Sequence, residues 1–292
     1  MKRILTTLLI ITFCCLANAT IPPLLPMPQK SAFTGKYVKA DVPVNEKIVS
    51  HIDGAIFQDE AYHILITSKG VNIEATTQRG LYWARQTMAQ LKTDKKGKQL
   101  LPLCEITDWP AFRIRGFMHD IGRSYIPMDE LKAEIAMLSR FKINTFHWHL
   151  TENQAWRLES KKYPQLNAPA NMERSKGKYY TLAEARDLVE FCRQHHVLLI
   201  PEIDMPGHSA AFERTFGFGM QTAEGTRIMK DIIAEACDAL DVPYLHIGTD
   251  EVQFTNPQFV PEMVAFVRSK GKKVISWNPG WKYKKGDIDM TQ

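Results

Sequence analysis

Apolar and polar residues follow two different patterns along the chain, and the change falls near residue 110. Before it, alternating residues at 62–67 and 71–75 predict two strands joined by a tight turn. Apolar residues at 77–91 recur at helical spacing, which predicts a helix. We therefore expect residues 20–108 to form a small α/β domain.

The residues after Pro110 alternate between short apolar runs and amphipathic segments. Nearly continuous apolar strands between helices are typical of a parallel sheet that is covered on both faces. Thr181 and Glu184 have the spacing of a capping box, which marks the start of one helix. The predicted strands are 112–120, 143–150, 197–204, 244–248 and 274–277, and the predicted helices are 128–141, 181–196, 224–240 and 256–271.

Five such units are consistent with a (β/α)8 TIM barrel or with a doubly wound sheet. A complete barrel takes about 250 residues, and the segment 109–292 is shorter. Residues 289–292 resemble the lead-in to a sixth strand. The predicted fold class is thus α/β, with a partial barrel of about five β/α units that is cut short by three.

The N-terminus has the features of a targeting segment. A basic start precedes an apolar run at 4–16, and an A-x-A pattern follows at 17–19. This predicts a signal peptide over residues 1–19, and export to the periplasm or the exterior. A lipoprotein signal at Cys14 or Cys15 is disfavoured, because a bulky residue precedes the first of them.

Composition and charge exclude several other classes of protein. The formal net charge is only +5 and the lysines are scattered, so no nucleic acid is expected as a partner. No later segment is apolar enough to predict an integral membrane span. Cys104, Cys192 and Cys237 are widely spaced, which predicts free thiols and neither a disulfide framework nor a zinc site.

Polar and ionisable residues cluster where the predicted strands end. In parallel sheets of this kind the carboxyl ends of the strands line one cavity, so we expect these side chains to meet there. In strand order they are Arg115, Asp120 and Arg123; His147, His149 and Glu152; Glu202, Asp204 and His208; His246, Asp250 and Glu251; and Trp277.

Several of these residues allow two interpretations. His147 and His149 would be metal ligands or hydrogen-bonded core histidines, and the lack of a third ligand at suitable spacing favours the core. Asp204 and His208 are expected to form a hydrogen-bonded dyad across the turn between them. Trp277 would be a core residue or a platform on which a sugar stacks.

Four segments resemble the motifs of glycoside hydrolase family 20, the β-N-acetylhexosaminidases, in the family's order. They are Arg-Gly-Phe-Met-His-Asp at 115–120, His-Trp-His-Leu-Thr-Glu-Asn-Gln at 147–154, Pro-Glu-Ile-Asp-Met-Pro-Gly-His at 201–208 and His-Ile-Gly-Thr-Asp-Glu-Val at 246–252. Residues 60–64 and 86–91 are similar to the small domain that precedes the family's barrel.

The resemblance implies a retaining, substrate-assisted exo-hydrolase that uses no cofactor, in which the acetamido oxygen of the sugar is the nucleophile. Its substrate would be an oligosaccharide or glycan with a terminal β-linked N-acetylglucosamine or N-acetylgalactosamine. Glu251 would be the acid/base and Asp250 would orient the acetamido group.

The resemblance also assigns substrate-binding and supporting positions. Arg115 matches the arginine that binds two sugar hydroxyls, and Asp204 with His208 matches a supporting dyad. The remaining expected substrate-binding residues are His149, Glu152 and Trp277, with Glu202 as a further residue that lines the site. The family's later strands supply other pocket residues, so an inactive fragment with weak sugar binding is one alternative. A metal-dependent barrel hydrolase is another.

Two positions depart from the family's motifs. Glu152 and Asn153 stand where the family usually has two aspartates, and Thr249 stands where it usually has a glycine. Glu152 keeps one charge with a longer reach, while Thr249 adds bulk beside the catalytic pair. We expect both changes to reshape the sugar subsite without removing the general acid.

Overall fold

A computed structural model describes residues 23–292. The predicted signal peptide at 1–19 lies outside the described residues. The chain divides into two compact units, Met1–Ala111 and Phe112–Gln292. This division falls just after the boundary that the sequence predicts at 108/109.

From residue 23 to 111, the first unit has a six-stranded sheet, one α-helix and one short 3-10 helix, Gln58–Glu60. The strands lie in the order β1-β6-β3-β4-β2, and β5 pairs with β6. Side chains of β3 alternate between buried and half-buried, so one face of the strand packs in the core. The elements are β1 (Lys30–Lys39), β2 (Val44–Ile48), β3 (Tyr62–Thr67), β4 (Gly70–Ala75), α1 (Gln78–Leu91), β5 (Thr93–Lys95) and β6 (Lys98–Asp108).

The predicted hairpin and helix of this unit are present. Strands β3 and β4 pair antiparallel, and the Thr77 side chain accepts the N–H of Gly80 at the start of α1. The prediction missed β1 and β2, whose side chains are mostly exposed and therefore give no apolar alternation. Residues 92–99, which are mostly polar, form β5, a two-residue turn and the start of β6.

The second unit is a parallel half-barrel with helices between its strands. Its six strands lie in sequence order from β7 to β12, with β7 and β12 at the two edges. All residues of β8 are buried, because both faces of this strand are covered. The strands are β7 (Gly116–Asp120), β8 (Thr145–His149), β9 (Leu198–Glu202), β10 (Tyr244–His246), β11 (Lys273–Ser276) and β12 (Met290–Thr291).

Amphipathic helices pack their apolar faces against this sheet and form one continuous core with it. The capping box predicted from Thr181 and Glu184 is present at the start of α3. The short helix α4 was not predicted. The helices are α2 (Met128–Arg140), α3 (Leu182–Gln194), α4 (Ala210–Phe216), α5 (Ala223–Ala239) and α6 (Phe259–Ser269).

Two further predictions from the sequence concern membrane spans and cysteines. Between residues 23 and 292, no helix combines the length and apolar character needed to cross a bilayer. Cys104, Cys192 and Cys237 are free thiols, as predicted. Burial raises the pKa of the Cys192 thiol to about 12, so this side chain packs as an apolar residue.

Candidate active site

The two adjacent acids lie in a tight turn beyond the carboxyl end of β10. The strand ends at His246, and Gly248, Thr249 and Glu251 all have positive φ angles, of 65°, 84° and 49°. On a regular strand two neighbouring residues would point to opposite faces, and this turn removes that constraint. The Asp250 side chain is 26% exposed and that of Glu251 is 78% exposed, so Glu251 is the more accessible acid.

His208 lies between the two adjacent acids and a third one. Its Nε2 lies 3.4 Å from a Glu251 oxygen and 3.7 Å from an Asp250 oxygen, while its Nδ1 lies 2.7 Å from Glu152 Oε1. The carboxylates of Asp250 and Glu152 outweigh burial and raise the pKa of His208 to about 10. The imidazole is therefore a cation at neutral pH that ties the acids to the loop after β8.

The supporting dyad is formed by His208 and Glu152, which corrects the pairing predicted from the sequence. Asp204 was expected to bond His208, but the His208 ring nitrogen lies against Glu152 on the neighbouring loop. Glu152 is fully buried and also contacts Arg123. Its longer side chain reaches both cations, so the position keeps its charge and its supporting contacts.

Arg123, and not Arg115, is the arginine at this end of the sheet. β7 begins only at Gly116, so Arg115 lies at its amino end, where the guanidinium donates to the carbonyls of Lys142 (2.8 Å) and Phe112 (2.9 Å). The expectation that Arg115 lies with the acids is therefore wrong. Arg123 follows the carboxyl end of β7 and contacts the carboxylates of Asp120 and Glu152.

Asp204 is a fully buried acid in contact with the turn after β10. Its Oδ1 accepts the backbone N–H of Thr249 at 3.3 Å, and its own N–H donates to Thr151 Oγ1 at 2.9 Å. Burial, together with the charges of Glu202 and Asp250, raises the pKa of Asp204 well above its usual range. The residue at position 248 must be glycine, because a side chain there would overlap the Asp204 carboxylate.

Glu202 is the centre of a buried polar cluster behind the turn. His147 Nε2 and His149 Nδ1 lie 2.6 and 2.9 Å from Glu202 Oε2, and the indole N–H of Trp277 donates to Glu202 Oε1 at 2.9 Å. Burial alone would raise the pKa of Glu202, but the surrounding histidines hold it well below its usual range. Burial alone would likewise lower the pKa of His149, but Glu202 raises it to about 9.

This cluster fits the core interpretation of the histidines better than a metal centre. Nitrogen and oxygen atoms of His147, Glu202 and His246 are close enough to share an ion. However, the Trp277 indole N–H, which cannot bind a metal, is committed to Glu202, and His246 Nδ1 accepts the backbone N–H of Gly248 at 3.1 Å. Burial lowers the pKa of His246, whose Nδ1 also lies 3.2 Å from Glu202 Oε1.

Trp277 follows the end of β11 and is only half-buried. Its ring centroid lies 5.3 Å from that of His147 and 4.9 Å from that of His246. One side of the ring therefore belongs to the buried cluster. The other part is exposed, and stacking of a sugar on it stays a prediction.

Sequence inspection missed the structural role of Arg157, which is completely buried. Its guanidinium donates to four backbone carbonyls and lies near the Met172 sulfur at 3.6 Å. One of the carbonyls belongs to Ile121, between Asp120 and Arg123, and so Arg157 supports the loop that carries Arg123. The others belong to Arg174, Ser175 and Lys178.

Asn153 helps to position the segment after His208. Its side-chain oxygen accepts the N–H of Ala210 at 3.0 Å, and its backbone carbonyl accepts from Arg214 at 2.5 Å. Both partners lie on α4, the helix that starts two residues after His208. An amide oxygen satisfies this helix end as a carboxylate would, so the departure at position 153 keeps the loop contact.

Comparison with known proteins identifies the family of both units. Residues 23–109 match the family model described as glycosyl hydrolase family 20, domain 2, and residues 112–222 match that of the family's catalytic domain. A β-hexosaminidase of Porphyromonas gingivalis is 34% identical over 244 residues, which are 72% of this chain and 31% of that protein. A β-N-acetylhexosaminidase of Cellulomonas fimi is 28% identical over 251 residues, 75% of this chain and 50% of that protein.

Solved structures of the same family share the fold. An exo-β-N-acetylglucosaminidase of Vibrio harveyi superposes with a TM-score of 0.81 at 23% identity, over 94% of this chain and 58% of that one. An N-acetyl-β-hexosaminidase of Streptomyces plicatus superposes with a TM-score of 0.70 at 28% identity, over 80% of this chain and 53% of that one. The chain thus spans between about a third and somewhat more than half of the length of these relatives.

Proposed function

Because the chain belongs to glycosyl hydrolase family 20, we propose that it carries the acid/base machinery of an exo-β-N-acetylhexosaminidase. The observation that carries the proposal is the turn after β10, which presents an accessible Glu251 next to a half-buried Asp250. The relatives are named as a β-hexosaminidase and a β-N-acetylhexosaminidase, and the substrate that we propose is a glycan with a terminal β-linked N-acetylglucosamine or N-acetylgalactosamine.

In this proposal only one of the two acids acts on the bond that breaks. Glu251 protonates the leaving oxygen and then takes a proton from the attacking water. The acetamido oxygen of the sugar is the nucleophile. Asp250 accepts the acetamido N–H and stabilises the positive charge that develops on the acetamido carbon. His208 stabilises the anionic Asp250, and Glu152 balances the charge of His208.

Arg123 takes the sugar-binding role that the sequence had suggested for Arg115. Its side chain is 43% exposed and lies with Asp120 and Glu152 at the carboxyl end of the strands. A guanidinium has five N–H donors, so one that contacts two carboxylates still has other N–H groups that can donate to sugar hydroxyls. His149 and Asp204 are buried, so we propose that they support the site and do not touch the sugar.

The test is hydrolysis of aryl β-N-acetylglucosaminides by wild type, Glu251→Gln and Asp250→Asn. Loss of the general acid should lower kcat at least about hundredfold, and loss of the orienting carboxylate should do the same. Glu262→Gln is the matched control, because Glu262 is an exposed acid on α6 that pairs with Lys230. If Glu251→Gln hydrolyses the substrate as fast as wild type, Glu251 is not the acid.

Binding and inhibition measurements on the same chain separate the active enzyme from the inactive sugar binder. A folded chain that binds N-acetylglucosamine in calorimetry but shows no turnover would support the weak sugar binder. Inhibition by a thiazoline analogue of the cyclic intermediate would support substrate assistance. We also propose export from the cytoplasm on the strength of the sequence at 1–19, which detection of the protein in periplasmic or secreted fractions would test.

A further inference from the structure

Three hydroxyl groups meet directly behind the turn that carries the two acids. Thr249 Oγ1 lies 2.6 Å from Ser276 Oγ and 3.4 Å from the Tyr283 hydroxyl. Thr249 and Ser276 are both fully buried. Ser276 is the last residue of β11, and its hydroxyl also lies 3.2 Å from the Trp277 carbonyl oxygen. The cluster therefore joins the turn after β10 to the end of the next strand.

Thr249 has a backbone conformation that strongly favours glycine. Its φ of 84° lies in the left-handed region, which is a genuine outlier for a β-branched residue. Such strain costs about 1–3 kcal/mol and persists only where the surroundings hold it. Here the surroundings are the Asp204 carboxyl oxygen, which accepts the Thr249 N–H, and the hydroxyl cluster on the other side.

The segment 277–283 packs over Thr249 from the β11 side. A side chain at Gly280 would lie 2.7 Å from the Thr249 carbonyl oxygen and 2.8 Å from its hydroxyl, so the two backbones approach closely there. The Thr249 side chain is thus enclosed, whereas Glu251 is exposed. Its bulk is turned into the protein, so we expect any reshaping of the sugar subsite by this residue to be indirect.

We propose that Thr249 is a positioning residue, whose hydroxyl fixes the turn after β10 to Ser276 and Tyr283 and so holds Asp250 and Glu251 in register with Trp277. The effect of Thr249 on catalysis rests on the proposed function. The structural claim, that three hydroxyl groups hold the turn, rests only on the geometry of the described residues.

Thr249→Val removes the hydroxyl and keeps the branched shape, while Thr249→Ser keeps the hydroxyl. Hydrogen–deuterium exchange of peptides covering 244–255 and 273–285 should be about tenfold faster in Thr249→Val and close to wild type in Thr249→Ser. Thr107→Val, on β6, is the matched control and should leave both peptides unchanged. If Thr249→Val does not fold, Ser276→Ala removes the same contact from the other side and should give the same exchange pattern.

Kinetic measurements distinguish a positioning role of Thr249 from a merely structural one. On aryl β-N-acetylglucosaminides, Thr249→Val should lower kcat about tenfold with KM within twofold, and Thr249→Ser should restore kcat. Unchanged exchange in both peptides, or equal kcat losses in the valine and serine variants, would overturn the proposal. A wild-type chain without hydrolysis would refute the proposed function instead, and the exchange data would still decide the role of Thr249.

Discussion

Replacing the buried Arg157 by methionine should destabilise the second unit strongly. The guanidinium donates to the carbonyls of Ile121 (3.1 Å), Arg174 (2.9 Å), Ser175 (3.0 Å) and Lys178 (2.7 Å). Methionine fills the space but donates nothing, so buried carbonyl groups lose their partner, at about 1 kcal/mol or more each. Removing the buried cation offsets part of this loss, because its desolvation penalty disappears.

We therefore expect the free energy of unfolding of Arg157→Met to fall by about 3–5 kcal/mol. Urea unfolding followed by tryptophan fluorescence measures it, and the linear extrapolation gives the difference from wild type. Arg186→Met is the matched control, because Arg186 is exposed on α3, and it should stay within about 0.5 kcal/mol. A loss below about 1 kcal/mol for Arg157→Met would refute the reasoning, since the carbonyls would then have found other partners.

Two further predictions concern charge. His149 and His208 have pKa values raised to about 9 and about 10, so their stabilisation is fully present below the unfolded pKa of about 6.5 and is lost as the pH rises through 9–10. Urea unfolding should show a fall in stability of up to about 1.4 kcal/mol per pH unit for each group above pH 6.5. The fall should be shallower in His208→Asn, and an unchanged slope would contradict the assignment. Dialysis against EDTA should leave hydrolysis and unfolding unchanged, because Glu202 is held by hydrogen-bond donors; a bound divalent ion detected by mass spectrometry would refute this.

The sequence predicts the order of the strands and the position of Asp250 and Glu251 at a strand end, but it misplaces Arg115. Asp250 and Glu251 follow a short apolar run, and that run is a buried strand whose end sits at the open side of the sheet. The same logic failed at Arg115, because Phe112 and Ile114 were taken for the start of β7. They are 73% and 51% exposed, and an apolar pattern alone does not distinguish such residues from a buried strand.

Contacts between loops were the other part that the sequence did not reveal. The carboxylate at the shortest distance from His208 is that of Glu152, from a different loop, although Asp204 is nearer in the chain. Arg157 gave no signal, because all its oxygen partners are backbone carbonyls and no acid in the sequence marks it. Such pairings depend on how the loops fold over the sheet, which spacing along the chain does not determine.

The carboxylates around the turn after β10 have a consequence for which ligands the site accepts. They outnumber the cations there even when Asp204 and the general acid Glu251 are left out of the count, so the local formal charge is negative. A ligand with a protonated amine is then attracted, while a sulfated or sialylated sugar is repelled, and both effects weaken as salt is added. The carboxylates in this count are Asp120, Glu152, Glu202 and Asp250, and the cations are Arg123, His149 and His208.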